Sequence, residues 1–177
     1  MAVRRVIQSS LTGGSVSEDK FLHTMTMPVE RLSDDIHDLI LDLRDTLWAY
    51  PFCVGLSAPQ IGDPHSVSVI NFKRENRNED LVLINPRIVE LGGKKDKKRE
   101  SCMSVWGKMG DVERRDKIIV EFYNQCFEIV QMEFQGFNSR VIQHEIDHLL
   151  GILYFDKINK EKSLQKADFF DKYEIIE

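Results

Sequence analysis

Apolar residues recur at two different spacings along the chain, and the change between them separates helical from extended segments. In residues 33–50 they lie three and four positions apart, which is typical of an amphipathic helix packed on a core. Ser33 supplies a good N-cap, and Pro51 cannot continue the helix. The apolar face of this predicted helix is formed by Ile36, Leu39, Ile40, Leu43 and Leu47.

The middle of the chain is rich in β-branched and aromatic residues. They predict strands in four runs: residues 67–72, 81–84, 118–123 and 127–134. Residues 124–126 are expected to form a hairpin turn between the last two. A basic run at residues 94–99 follows a glycine pair, and we expect a solvated loop there, with a docking surface for an acidic partner as the alternative. This part of the chain is therefore expected to be mostly antiparallel sheet.

Helical spacing returns at residues 138–151 and again at residues 160–170. Gly151 marks the end of the first of these helices, because glycine readily adopts the left-handed conformation that follows many helices. Helices on either side of a block of antiparallel strands predict an α+β fold, in which the strands surround the helix of residues 138–151. No repeat or long linker divides the chain, so we expect one catalytic domain over residues 1–177.

Composition and charge narrow the range of functions. Apolar residues at 42% and charged residues at 30% are ordinary for a soluble globular protein. A net charge of −5 argues against a nucleic-acid-binding surface. No run approaches the ~20 apolar residues of a membrane helix, so we expect a cytoplasmic protein, with an organelle transit segment in the acid-free residues 1–17 as the alternative. Three cysteines then indicate free thiols or a metal ligand.

Residues 144–148 read His-Glu-Ile-Asp-His and fit the pattern H-E-x-x-H. On a helix, residues four apart share a face, so His144 and His148 can bind one metal ion. Glu145 would lie beside that ion, where it can take a proton from water and return it to a leaving group. Charged helices also match so short a pattern by chance, and a solvated helical face is the alternative.

A catalytic site of this kind needs a third protein ligand and one open coordination position. Downstream, Tyr154 stands where one large protease class has a third histidine, and no glutamate with a supporting pattern follows at the spacing of another class. Upstream, Cys102 offers a thiolate that suits a first-row divalent metal beside two imidazoles. Taken alone, such a cysteine is more often a small buried apolar residue.

Three segments together resemble the peptide deformylase family, whose motifs are G-x-G-L-A-A-P-Q, E-G-C-L-S and Q-H-E-x-D-H. The matching segments are residues 53–60, 100–104 and 143–148. The resemblance spans roughly residues 35–156, and it keeps the order and approximate spacing of the motifs. Because three matches in this order are specific, the resemblance outweighs the alternatives for each segment alone.

The resemblance implies a role for each matching residue. The metal ligands that it implies are Cys102, His144 and His148. Glu145 is then the general acid and base, while Gln60 and the backbone N–H of Met103 hold the oxyanion of the tetrahedral intermediate. The substrate-binding residues are expected to include Gly55, Glu100, Arg140 and Val141. In this family the preferred metal is ferrous iron, and nickel, cobalt or zinc are found as substitutes.

The function implied is hydrolysis of the N-formyl group from the N-terminal methionine of nascent polypeptides, with release of formate. The expected substrate is an N-formylmethionyl peptide, and the ribosome is a candidate partner. A monomer with no direct role at nucleic acids or membranes is expected. Two alternatives stay open: a metal-dependent amidase or deformylase for a different formylated substrate, and a non-catalytic homologue that binds peptides.

Four residues depart from the family motifs near the expected substrate. Cys53, Ser57, Ser101 and Met103 replace a glycine, an alanine, a glycine and a leucine, respectively. A side chain at position 53 would narrow the entrance of the cleft. The stretch before Ser33 also lacks the proline-aspartate-leucine-arginine-like start that is usual in the family.

Arg140 lies one helical turn before His144, where the family usually has an apolar residue in the methionine pocket. In one interpretation its guanidinium turns outward or pairs with a nearby acid while its stem lines the wall. In the other, Arg140 makes the pocket more polar and alters the side-chain preference. Glu100 and Arg114 match positions that form a supporting ion pair in relatives. The remaining histidines, expected at surface or structural positions, are His23, His37 and His65.

Overall fold

The computed structural model describes residues 2–158 and 163–176. Within these ranges, six strands form one antiparallel sheet in the order β1-β2-β3-β4-β5, with β6 paired to β4. The predicted α+β class is therefore confirmed. The elements in chain order are α1 (Val16–Leu22), α2 (Asp34–Ala49), β1 (Gly55–Ser57), β2 (Val67–Ile70), β3 (Leu81–Cys102), β4 (Val105–Tyr123), β5 (Ile129–Gln135), α3 (Gly136–Leu149) and β6 (Gln165–Lys166).

Helix α2 matches the helix predicted from apolar spacing. Its N-cap is Ser33, whose hydroxyl accepts a hydrogen bond from the backbone N–H of Ile36 at 3.4 Å. The helix ends at Ala49, before Pro51. All five predicted apolar residues are buried in one core cluster with Leu56, Val67 and Val69 of the sheet.

The short strands β1 and β2 lie between two helices, and their alternation decides which side chains face each one. Leu56, Val67 and Val69 pack in the cluster that contains α2. Ile70 packs in a second cluster, with Ile142 and Ile146 of α3. Residues 55, 57, 68 and 70 therefore face α3, the helix that carries residues 144–148.

Strands β3 and β4 form one long hairpin, and the prediction of a loop at residues 94–99 was wrong. Lys95 lies opposite Arg115 in the register, and irregular pairing between Gly92 and Lys95 absorbs the glycine pair as a bulge. The basic side chains are solvated, as expected, and some face acids across the hairpin, as in the 2.7 Å pair of Lys95 and Glu113.

The second hairpin is confirmed at its predicted turn. The Asn124 side-chain oxygen accepts hydrogen bonds from the N–H groups of Cys126 at 2.9 Å and Glu128 at 3.0 Å. Phe127 takes a positive φ of 59° within the turn, so β5 begins at Ile129 rather than at residue 127.

The prediction of a helix over residues 160–170 was wrong for residues 163–170. The start of the predicted helix, residues 160–162, lies outside the described ranges. Gln165 and Lys166 instead form β6 against Met109 and Lys108 of β4. A 3-10 turn follows at Asp168–Lys172. The N–H of Ala167 donates to the carbonyl of Gly107 at 2.9 Å. The backbone of this segment therefore forms hydrogen bonds with β4 instead of the hydrogen bonds of a helix.

The segment before α2 packs against the rest of the chain. Val6 is fully buried, and the Ile7 N–H donates to the carbonyl of Gln60 at 2.9 Å. Helix α1, which the sequence analysis did not predict, begins with a capping box formed by Ser15 and Glu18. None of the helices described is long and apolar enough to cross a membrane.

Candidate metal centre

Helix α3 carries both histidines of the H-E-x-x-H pattern toward the sheet. The rings of His144 and His148 have their centroids 5.0 Å apart, as expected for residues one turn apart on one face. Gly151 follows the helix with a φ of +72°. A Cβ at Gly151 would lie 2.7 Å from the carbonyl carbon of His23, so the close approach of these segments also requires glycine.

Cys102 reaches the same point from the opposite side, at the tight turn between β3 and β4. Its Sγ lies 3.1 Å from Nε2 of His148. The candidate ligand atoms of Cys102, His144 and His148 all lie within 4.8 Å of one another. Segments far apart in the sequence thus converge on one possible metal-binding site.

The chemistry of this donor set fits a first-row divalent metal. One thiol sulfur and two imidazole nitrogens are three protein ligands of the kind found in catalytic sites, which leave a fourth position open. Cys102 and His148 are buried, while His144 is half-buried beside a cleft. An open position on the cleft side is therefore compatible with access for a substrate.

Glu100 orients His144 from behind. Its Oε2 lies 3.1 Å from Nδ1 of His144, which leaves Nε2 of that ring for the cluster. Arg114 donates to both carboxylate oxygens of Glu100, at 2.6 and 2.8 Å, so the ion pair expected between these residues is present and buried. Burial alone would raise the pKa of Glu100, but the hydrogen bonds with Arg114 and His144 hold it well below its usual range.

Arg140 pairs with the same acid. Its guanidinium donates to Glu100 Oε1 at 2.6 Å, to the carbonyl of Val112 at 2.9 Å and to the carbonyl of Asp96 at 2.6 Å. Its side chain also lines the cleft. The contacts correspond to the interpretation in which the guanidinium pairs with a nearby acid while the stem lines the wall.

The two histidines have opposite electrostatic surroundings. Burial and the neighbouring charge of His144 lower the pKa of His148. Burial also acts to lower the pKa of His144, but hydrogen bonds with Cys102 and Glu100 raise it overall. His144 therefore sits where positive charge is stabilised, and a metal cation would take the place of its proton.

Glu145 lies next to the cluster, enclosed by strand β1. Its Oε2 accepts a hydrogen bond from the Ser57 hydroxyl at 2.7 Å. On the other side, a Cβ at Gly55 would lie 2.5 Å from Oε1, so only glycine leaves room for this carboxylate. Burial raises the pKa of Glu145.

Gln60 points its amide toward the cluster. Its Oε1 accepts a hydrogen bond from the Ser57 N–H at 2.9 Å, so its Nε2 faces Cys102 Sγ at 3.5 Å and Ser104 Oγ at 3.4 Å. The carbonyl of Met103 accepts a hydrogen bond from the Gln8 side chain at 2.9 Å. Sequence reasoning missed the contributions of Gln8 and of the Ser57 hydroxyl, since Gln8 lies outside the motifs and the motif that contains Ser57 has alanine at that position.

A cleft of about 240 Å³ brings most of the predicted site residues together. Those that line it are Gly55, Gln60, Glu100, Cys102, Met103, Arg140, Val141, His144 and Glu145. His148 lies behind this surface, fully buried, and Cys53 lines the wall as a buried thiol. The other histidines do not line the cleft. His37 and His65 bond to near neighbours in the sequence, whereas His23 pairs with both Asp19 and the distant Asp156.

Comparison with known proteins gives a consistent result. The family described as polypeptide deformylase matches residues 15–164. The chain is 37% identical to a peptide deformylase of Chlorobaculum parvum, over 84% of this chain and 81% of the relative. It is 40% identical to peptide deformylase 2 of Vibrio cholerae, over 72% of this chain and 74% of the relative.

Solved structures resemble the fold closely. A peptide deformylase from Legionella pneumophila superposes with a TM-score of 0.82 at 31% identity, covering 92% of this chain and 89% of that one. One from Thermotoga maritima gives a TM-score of 0.79 at 29% identity, covering 90% of this chain and all 100% of that one.

Proposed function

The chain belongs to the peptide deformylase family, and from that premise we propose that it hydrolyses the N-formyl group of N-formylmethionyl peptides, releasing formate and a free N-terminal methionine. The observation that carries the proposal is the position of Glu145. Its buried carboxylate lies beside three converging ligand atoms and lines a cleft open to substrate.

We propose that Cys102, His144 and His148 hold one divalent metal, with ferrous iron preferred and nickel, cobalt or zinc as substitutes. When bound, the ion supplies a Lewis acid that polarises the formyl carbonyl and makes water a better nucleophile. Glu100 assists by keeping the His144 ring in the orientation that its 3.1 Å contact defines.

Glu145 is proposed to move the proton. It takes one from the water that attacks the formyl carbon and delivers it to the departing amine as the C–N bond breaks. A carboxyl group whose pKa is raised by burial suits both halves of this role, because it holds a proton more readily than an exposed glutamate does. The overall balance is one water consumed, one formate and one amine formed.

The charge on the tetrahedral intermediate needs fixed donors. We assign these to the Gln60 Nε2 and the Met103 N–H, each proposed to contribute about 10²–10³ in rate. Ser57 supports Gln60 by fixing its amide oxygen at 2.9 Å, which leaves the amide nitrogen on the Cys102 side.

Substrate binding is proposed to use Gly55, Val141 and the stem of Arg140 as the wall that meets the methionine side chain. These residues line the same cleft as Glu145. The carboxylate of Glu100 is already engaged by three protein side chains, so its proposed contribution is to the orientation of His144 rather than to the substrate.

The test is formate release from formyl-Met-Ala-Ser by protein purified anaerobically and loaded with iron or nickel. We expect turnover that is lost on metal removal and falls by about 10²–10⁴ in Glu145→Gln, with metal content unchanged. Glu75→Gln, an exposed acid, serves as the matched control. Faster release of acetate from acetyl peptides, or of formate from free formyl amino acids, would indicate the different-substrate alternative. Binding of formyl peptide without release of formate would indicate the non-catalytic one.

We further propose that residues 1–177 act as one catalytic domain and as a monomer, in the cytoplasm, on chains emerging from the ribosome. The basic side chains of residues 94–99 lie on an exposed part of strand β3. Some of them form ion pairs with acids of the same hairpin, as Arg99 does with Asp111. Their net attraction for RNA is therefore reduced, and ribosome binding is better tested by co-sedimentation than assumed from this run.

A further inference from the structure

The Ser57 hydroxyl occupies a buried position with three oxygen atoms within hydrogen-bond distance. Ser68 Oγ lies at 2.7 Å, Glu145 Oε2 at 2.7 Å and the main-chain carbonyl of Glu145 at 3.1 Å. Ser57 and Ser68 are both fully buried and lie directly opposite each other on β1 and β2. The two hydroxyls thus form a short chain that ends on the proposed base.

Counting hydrogens fixes the direction of this chain. An ionised carboxylate can only accept, so the single hydroxyl hydrogen of Ser57 is donated to Glu145. Ser57 then accepts the hydrogen of Ser68, so both hydroxyl hydrogens have an acceptor within the protein. Ser68 therefore determines the rotation of the Ser57 hydroxyl, and Ser57 determines the position of Glu145 Oε2.

The opposite side of the carboxylate is left open by Gly55. Gly55 and Ser57 lie on the same face of β1, with Gly55 next to Oε1 and Ser57 bonded to Oε2. One oxygen is thereby held while the other stays on the side of Gly55, which lines the cleft.

We propose that Ser57, oriented by Ser68, is a positioning residue that holds Glu145 Oε2 and presents Oε1 to the attacking water and the departing amine. This inference rests on the proposed function. The family motif has alanine at this position, which cannot make the contact, so the device distinguishes this chain from that motif.

The backbone of Ser57 makes a separate contribution that the test can set aside. Its N–H holds Gln60, and any residue other than proline at position 57 can retain that contact. Ser57→Ala therefore removes the hydroxyl chain to Glu145 while it leaves the proposed oxyanion donor in place.

The experiment measures kcat and KM for formyl-Met-Ala-Ser in Ser57→Ala, Ser68→Ala and the double variant, with metal content and melting temperature recorded for each. We expect kcat to fall by about 10-fold in Ser57→Ala with little change in KM. Ser68→Ala should lower kcat less, and it should add nothing in the Ser57→Ala background, because it acts through Ser57. Ser57→Thr, which keeps a hydroxyl, should recover part of the loss.

The matched control is Ser139→Ala, which removes another buried hydroxyl on the same helix as Glu145, one bonded to the Arg115 carbonyl at 2.9 Å. Its kcat should equal that of the wild type. An unchanged kcat in folded Ser57→Ala, or additive losses in the double variant, would overturn the inference. If Ser57→Ala does not fold, an unchanged kcat in Ser68→Ala decides against it. Failure of the proposed function itself is distinct, since the wild type would then release no formate.

Discussion

Glu100 Oε2 lies 3.1 Å from Nδ1 of His144, and this contact determines which nitrogen of the ring faces Cys102 and His148. The same carboxylate is held by Arg114 and Arg140, so its position depends on both strands of the long hairpin and on helix α3. The orientation of one proposed ligand is therefore set by a buried ionic cluster.

Glu100→Gln is expected to weaken metal affinity by about 10- to 100-fold, because the amide is a poorer acceptor for His144 and disturbs both arginines. Competition with a chromophoric chelator measures the affinity, and circular dichroism checks the fold. Glu90→Gln, an exposed position on the same strand, is the control and should bind metal normally. A folded Glu100→Gln protein with wild-type affinity would contradict this role.

Gly55→Ala is expected to lower kcat by at least about 10-fold, since the new Cβ would lie 2.5 Å from Glu145 Oε1 and must displace that carboxylate. Steady-state kinetics on formyl-Met-Ala-Ser test this expectation. Gly92→Ala, where the nearest neighbouring atom would lie at an ordinary 3.4 Å, provides the matched control. Equal activity of both variants would show that Glu145 tolerates displacement.

Arg140→Leu tests the two interpretations of this arginine. Because its guanidinium bridges Glu100 and two main-chain carbonyls, we expect a loss of about 2–4 kcal/mol in the free energy of unfolding, or roughly 5–15 °C in melting temperature. The order of kcat/KM among formyl-Met, formyl-Leu and formyl-Glu peptides should stay the same. A shift away from formyl-Glu would favour the polar-pocket hypothesis instead.

For comparison, Arg87→Leu removes an arginine from an exposed pair with Glu121, and it should cost about 0–1 kcal/mol. A similar loss in both variants would mean that the buried contacts of Arg140 add nothing to stability.

The cysteines should differ in reactivity. Burial, reinforced by the charge of Glu145, raises the pKa of the Cys53 thiol, whereas Cys126 is exposed. At pH 8, iodoacetamide should alkylate Cys126 more than about tenfold faster than Cys53, as measured by peptide mass spectrometry. Cys126→Ser should remove the fast phase, and guanidinium should make Cys53 reactive. Rapid labelling of Cys53 in folded protein would mean that the cleft exposes it.

Local periodicity predicted the helices that bury a continuous apolar face. Helix α2 follows from its spacing of three and four, and α3 from the spacing around His144 and His148. The full length of β3 did not follow, because residues 94–99 are exposed and gain their pairing from β4 instead of from burial. The segment at Gln165–Lys166 was likewise decided by distant backbone partners.

In the candidate site, too, some features were predictable from the sequence and others were not. The spacing of His144 and His148 and the order of the motifs identified the residues that carry the proposed chemistry. The contact between Ser57 and Glu145 needed the face of β1 that meets α3, and the brace from Gln8 to Met103 joins residues 95 positions apart. Such contacts depend on packing, which a single sequence does not specify.

The turn that carries Cys102 also has a consequence for chain topology. A cation joining Cys102 to His148 would close a loop of 46 residues that contains β4, β5 and most of α3. Such a link closes this loop as a covalent bridge does, but reversibly, and its stabilisation of the folded chain rises with the logarithm of the free metal concentration. The supply of metal would thus affect the lifetime of the folded protein as well as its rate of catalysis.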